Sequence, residues 1–281
     1  MQNNKLFSQK NIAFYLIAVW VKRFQRYLYW IFGNDRYSKR FEEKTLSYRV
    51  KKHSSVLIRK LGVSDMKLQY NKVTNLKIAA KRINGILIKP GETFSFCKIV
   101  GLPTKRKGYL NGIELYYGEA REGIGGGLCQ IANLLHWLSL HSPLDIIERH
   151  HHSFDPFPDE GRILPFGTGA TIFYNYVDLR LKNNTPYTFQ INLWFTEKCI
   201  EGELRCDQEL DFSYHVYEKN HRFIKSGNDF YRENEIWRNK ISKFDGGKVL
   251  ATELLIKNHS LVKYKPENIG ICDKTVDFSN L

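Results

Sequence analysis

The stretch Gly125-Gly126-Gly127-Leu128-Cys129-Gln130 is the point from which this 281-residue chain is best read. Three glycines run into a cysteine, and residues 130–140 then carry apolar side chains at helical spacing, so Cys129 is expected to open a helix. A thiol at a helix N-terminus lies in the positive end of the helix dipole, which favours the thiolate. Glycines upstream permit close approach of a substrate and leave backbone amides free to point at it. A cysteine nucleophile with an oxyanion hole is built this way, here from Cys129 and the backbone of Gly127, Leu128 and Gln130. The competing reading is a small buried cysteine behind a glycine-rich loop.

In that helix Ile131, Leu134, Leu135 and Leu138 share one face, while Cys129, Asn133 and His136 line the other. His136 is excluded as the base for Cys129, because seven residues at about 1.5 Å rise separate them by roughly 10 Å. A short strand over residues 144–147 leads into Glu148-Arg149-His150-His151-His152-Ser153, where His150 and His152 point one way and His151 the other. Residues 172–181 read as a strand with Val177, Leu179 and Leu181 on one side and Asp178 and Arg180 on the other. A turn at residues 182–186 and an alternating strand over 187–195 complete an expected β-hairpin. Cysteine, histidine and carboxylate in this order match papain-like and transglutaminase-like sites: Cys129 attacks, His150 or His152 moves the proton, and Asp178 orients the ring.

Upstream, residues 41–80 read as mostly helical, with Leu57, Ile58 and Leu61 at helical intervals and a stripe of Leu76, Ala79, Ala80 and Ile83. A strand, a Pro90-Gly91 turn and a second strand follow. The loop at residues 101–108 presents Lys105, Arg106 and Lys107 to an anionic group, and Asn111-Gly112 and Tyr117-Gly118 mark turns. Downstream, residues 211–224 alternate like an antiparallel pair and residues 236–256 add strand signals around Gly246-Gly247, giving a β-rich extension. The expected fold is α+β: a central helix beginning at the glycine-cysteine motif, packed on a mainly antiparallel sheet, with a papain/transglutaminase-like arrangement of site residues. Its segments are a basic aromatic N-terminus (1–40), a helical lead-in (41–70), a central domain (71–206) and the extension (207–281).

With 43 Lys+Arg against 29 Asp+Glu, the formal charge of +14 suits acidic lipid or an anionic wall polymer; nucleic acid is set aside because no nucleic-acid motif accompanies the charge. The apolar run at residues 12–21 is too short to span a bilayer unaided and precedes no cleavage site, so a helix lying on an anionic membrane surface and a helix packed on the protein both fit. Localisation, cytoplasmic or membrane-associated, stays open. The five cysteines (Cys97, Cys129, Cys199, Cys206, Cys272) are odd in number and form no CxxC, which excludes a full disulfide framework; Cys199 and Cys206 either pair locally or stay reduced.

PGETFSF (90–96), KIVG (98–101), KGY (107–109), GIGGGLCQ (123–130), ERHHHS (148–153), GTGAT (167–171) and DLRLKNNT (178–185) together resemble the VanW family. That family takes its name from the vancomycin B-type resistance cluster, and the resemblance implies a cysteine-dependent L,D-transpeptidase acting on peptidoglycan. It places the nucleophile at Cys129 and leaves His150 and His152 as candidate bases. Lys105, Arg106, Lys107 and Arg149 are candidate substrate contacts, and no cofactor or metal is expected. Two alternatives stand beside it: a non-enzymatic accessory protein that binds wall precursors or glycopeptide, and zinc held by Cys129, His150 and His152, for which no fourth ligand is evident. The oligomeric state is open.

Overall fold

A computed structural model describes residues 12–58, 66–116, 119–151, 154–155 and 163–266. Four helices occur among them: α1 (Ile12–Phe32), α2 (Met66–Ile83), α3 (Phe96–Val100) and α4 (Cys129–Leu140). The strands are β1 (Arg36–Tyr37), β2 (Tyr48–Val56), β3 (Ile86–Ile88), β4 (Glu92–Ser95), β5 (Asn111–Tyr116), β6 (Glu119–Ile124) and β7 (Asp145–Glu148), then β8 (Phe154–Asp155), β9 (Arg180–Lys182), β10 (Phe189–Phe195), β11 (Cys199–Cys206), β12 (Phe212–Ser226), β13 (Asp229–Ser242) and β14 (Val249–Val262). The fold is mixed α+β with mostly antiparallel sheets, as the alternating patterns predict.

Helix α4 packs across β2 and β11 of an antiparallel sheet ordered β2-β11-β10-β3. Its apolar face supplies Ile131, Leu134, Leu135 and Leu138, all fully buried in the main core, each contributing about 2 kcal/mol by leaving water. Leu76, Ala79, Ala80 and Ile83 of α2 join the same core. A second sheet, β1-β4-β9-β7, carries the polar residues beside the site, and β5 and β6 form a hairpin next to the glycine loop. The long strands β12, β13 and β14 form a meander that takes β8 onto its edge. They pack on the far end of α4, where Trp137 and Leu140 meet Val216 and Ile236. Arg238 of β13 donates to the carbonyls of Leu140 (3.1 Å) and Ser142 (2.9 Å), satisfying acceptors at the helix C-terminus.

Tertiary pairing corrects several expectations. Residues 48–56 are a strand, not part of a helical lead-in: β2 has no clear alternation of its own and is drawn into the sheet as the antiparallel neighbour of β11. Asn111-Gly112 begins β5 instead of turning the chain. Residues 172–181 and 187–195 do not form a hairpin, because β9 pairs with β4 and β7 whereas β10 pairs with β11 and β3. The chain turns at Asn183, whose side chain donates to the Ile88 carbonyl at 2.8 Å and the Tyr187 carbonyl at 2.6 Å, passing it from one sheet to the other. Residues 212–224 lie in one long strand, β12, and not in a pair. Cys199 and Cys206 are free; at the two ends of β11 they lie roughly 20 Å apart, beyond any disulfide. Tyr117-Gly118 and Cys272 lie outside the described residues.

Candidate functional site

The glycine motif sits in a cleft of about 790 Å³ whose walls include Cys129, Gly127, Gln130, Cys97, Glu114 and Arg23. That size suits a peptide-sized ligand. The turn requires glycine, as Gly126 and Gly127 illustrate. Gly126 lies against the backbone of Gly112, where an added Cβ would come within 2.3 Å of the carbonyl group. Gly127 has φ +95° and no room beside the Lys72 side chain. Asn75, fully buried on α2, locks this geometry by donating to the carbonyls of Leu110 and Gly126 (both 3.0 Å) and accepting from the Leu110 amide at 2.8 Å.

The polar face of α4 meets the GTGAT segment in register. Cys129 Sγ accepts from the Ile172 amide (3.5 Å), Asn133 Oδ1 from the Ala170 amide (2.6 Å), and His136 Nδ1 lies 2.7 Å from the Thr168 carbonyl. Steps of four and three residues keep these three side chains on one face of the helix, so successive contacts fall along one line. A carbonyl only accepts, so Nδ1 of His136 carries the proton, and burial holds this imidazole neutral with a pKa of about 3.

The thiol is less activated than its helix position implies. Burial raises the Cys129 pKa, and the nearby Glu114 charge pushes in the same direction against the hydrogen bond from Ile172. Burial thus holds the thiol above its ordinary range, and it rests protonated at neutral pH. The Gly127 and Leu128 amides have no hydrogen-bond partner among the described residues, but the Gln130 amide donates to the Gly127 carbonyl at 3.0 Å. Gln130 therefore does not supply a free backbone donor; its side chain instead fastens α4 to β2 through Ser55 Oγ (2.9 Å) and the Val56 carbonyl (2.8 Å).

Asp178 is fully buried and does not face away from Leu179 into solvent. Its carboxylate accepts from Ser95 Oγ at 2.5 Å and from the Cys97 and Leu179 amides, both at 2.8 Å. Those bonds orient the start of α3, and none reaches a histidine. The carboxylate beside His150 is Glu148, 3.4 Å from Nε2. Glu148 also receives both guanidinium nitrogens of Arg26 at 2.5 Å. Burial opposes its charge, but the hydrogen bonds from His150 and Arg26 and the charges of Arg26 and Arg180 prevail, lowering its pKa to about 2.

His150 is exposed, and its carbonyl accepts from the Thr171 amide at 2.8 Å, which ties the histidine stretch to the segment that holds the thiol. Among the described residues no imidazole hydrogen-bonds to Cys129; His152 lies outside them. Arg149 is half-buried and clamps the GTGAT segment through the carbonyls of Gly167 and Gly169. Lys105, Arg106 and Lys107 form an exposed 3-10 turn; the cleft wall is made by the preceding Gly101, Leu102 and Pro103. His53 of β2 also lines the cleft, but its ring lies 6.1 Å from that of Trp137, about two helical turns beyond Cys129.

No sequence motif marks Cys97, Asn75, Glu114, His53 or Arg23. Asn75 borders the apolar stripe of α2, a polar residue beside a core face; the others reach the cleft through sheet and helix packing.

A thiol at a helix start, held behind a three-glycine turn at the head of a peptide-sized cleft, defines the class of site, and comparison with known proteins defines the family. A family model described as VanW like protein matches residues 71–205. The vancomycin B-type resistance protein VanW of Enterococcus faecalis (strain ATCC 700802 / V583) is 34% identical over 236 residues, covering 84% of this chain and 86% of that protein. The chain belongs to the VanW family. The protein YoaR of Bacillus subtilis (strain 168) is 34% identical over 110 residues, covering 39% of this chain and 34% of that protein. No solved structure matches the chain.

Proposed function

We propose that Cys129 is the nucleophile of an L,D-transpeptidase-like acyl transferase acting on peptidoglycan stem peptides in the setting of glycopeptide (vancomycin) resistance. The observation that carries this reading is the thiol's position at the head of α4, lining the cleft next to the Gly127 and Leu128 amides, which have no hydrogen-bond partner among the described residues. In the reaction Cys129 Sγ bonds to a stem-peptide carbonyl carbon, the scissile C–N bond breaks, and the departing amine takes a proton. An acceptor amine, or water, then attacks the thioester and returns the thiol. The Gly127 and Leu128 amides hold the developing oxyanion. A thiol protonated at rest needs a base when substrate arrives, and His150 or His152 serves, with Glu148 stabilising the imidazolium of His150. Lys105, Arg106 and Lys107 receive a substrate carboxylate at the rim, while Arg149 shapes the cleft wall.

A second reading is favoured by the raised thiol pKa: a non-enzymatic protein that binds wall precursors or glycopeptide in the same cleft. Muropeptide analysis of cells carrying wild type or Cys129→Ala separates the two. Transfer predicts cross-links that vanish with the thiol; an unchanged muropeptide profile together with undiminished precursor binding by Cys129→Ala establishes the binding role.

A further inference from the structure

Helix α1 has three faces. Val19, Arg23, Arg26 and Trp30 face the protein, where Arg23 donates to the Tyr174 carbonyl at 3.2 Å and Arg26 clasps Glu148. Lys22 and Gln25 lie on a polar side. The remaining arc, nearly half the circumference at about 100° per residue, is apolar and exposed: Leu16, Ile17, Trp20, Phe24, Ile31 and Phe32, with Trp20 67% and Ile31 70% accessible. Contiguous outward apolar side chains of this size on a soluble fold mark a contact surface.

We propose that this arc lies in the headgroup region of an anionic bilayer, with α1 parallel to the membrane and the cleft held at the lipid surface. Charge selects lipid over a second copy of the chain. Residues 12–40 contain six cations (Lys22, Arg23, Arg26, Arg36, Lys39, Arg40) against one acid, Asp35, and the whole chain carries +14. Lys22, Arg36, Lys39 and Arg40 are exposed, whereas Asp35 is paired with Arg180. Two such surfaces brought together would repel; an acidic bilayer attracts them. The helix is not long and apolar enough to cross a membrane, which leaves an in-plane seat. Trp20 and Tyr27 place amphipathic rings where headgroups and acyl chains meet. Arg23 is at once part of α1 and of the cleft wall, so the seat fixes the cleft close to the bilayer whatever reaction the cleft performs.

The test is flotation of the full chain with phosphatidylglycerol-phosphatidylcholine vesicles, with pure phosphatidylcholine vesicles, and with the mixed vesicles in high salt. A triple variant, Trp20→Ser, Phe24→Ser and Ile31→Ser, removes only exposed side chains, and circular dichroism verifies its fold. The expected result is binding to the mixed vesicles that weakens in salt and falls by more than about tenfold in the variant. Failure of wild type to float with mixed vesicles overturns the proposal, as does equal binding by the variant. A wild-type dimer that ignores vesicles and becomes monomeric in the variant assigns the arc to a second copy instead. None of these outcomes depends on Cys129, so they stand apart from the transferase reading.

Discussion

The Cys97 amide donates to Asp178 at 2.8 Å, so this buried carboxylate anchors the second cysteine of the cleft and not the histidines. Replacing Asp178 by Ala leaves the Ser95, Cys97 and Leu179 donors unpaired in a buried site. The expected cost is about 3 kcal/mol in denaturant unfolding. The folded fraction of the variant keeps the Cys129 alkylation rate of wild type, which a ring-orienting role for Asp178 does not predict.

Cys129 itself is expected to alkylate slowly at mildly acidic and neutral pH. Burial disfavours its thiolate, so its rate climbs only at pH above the range of an ordinary thiol. Iodoacetamide labelling with site-resolved mass spectrometry over a pH series measures this. Faster labelling of Cys129 than of exposed model thiols at pH 6 would show the helix dipole winning after all.

Asn133 controls how the thiol is covered. In Asn133→Ala the Ala170 amide loses its acceptor, at a cost of about 1–2 kcal/mol. The GTGAT segment loosens against α4, and hydrogen exchange at Ala170 and Ile172 accelerates while exchange in β10 and β11 stays unchanged. Cys129 labelling rises in step with that loosening.

Glu148 makes the docking of α1 acid-sensitive. Its pKa falls from 4.5 to about 2 on folding, so the native state binds its proton less readily than the unfolded chain. The stabilisation is therefore present above pH 4.5 and disappears as pH falls through about 2. After allowance for solvent screening it amounts to about 2 kcal/mol. Glu148→Gln loses it at neutral pH and shows a flatter stability profile between these values, read by chemical unfolding at a series of pH values. A wild-type acid limb identical to that of the variant would exclude the ion pair as its cause.

Short-range patterns carried much of this protein in its sequence. The start of α4 at Cys129, the Leu76-to-Ile83 stripe, the Pro90-Gly91 turn and the inward residues Phe189, Ile191 and Leu193 are all legible, because helix and strand periods dictate which side chains can share a face. So is family membership, carried by GIGGGLCQ and its companion motifs. Tertiary structure decided what spacing leaves open. Asp178 reads as a strand-surface acid until two sequence-distant donors, Ser95 Oγ and the Cys97 amide, close on it, and β2 reads as helix until β11 offers it hydrogen bonds. The dipole argument for Cys129 is local, but the burial that opposes it, and the hydrogen bond from Ile172 that relieves it from 43 residues along the chain, come only with the tertiary fold. Periodicity is a property of neighbours in sequence; partner choice and burial are properties of neighbours in space.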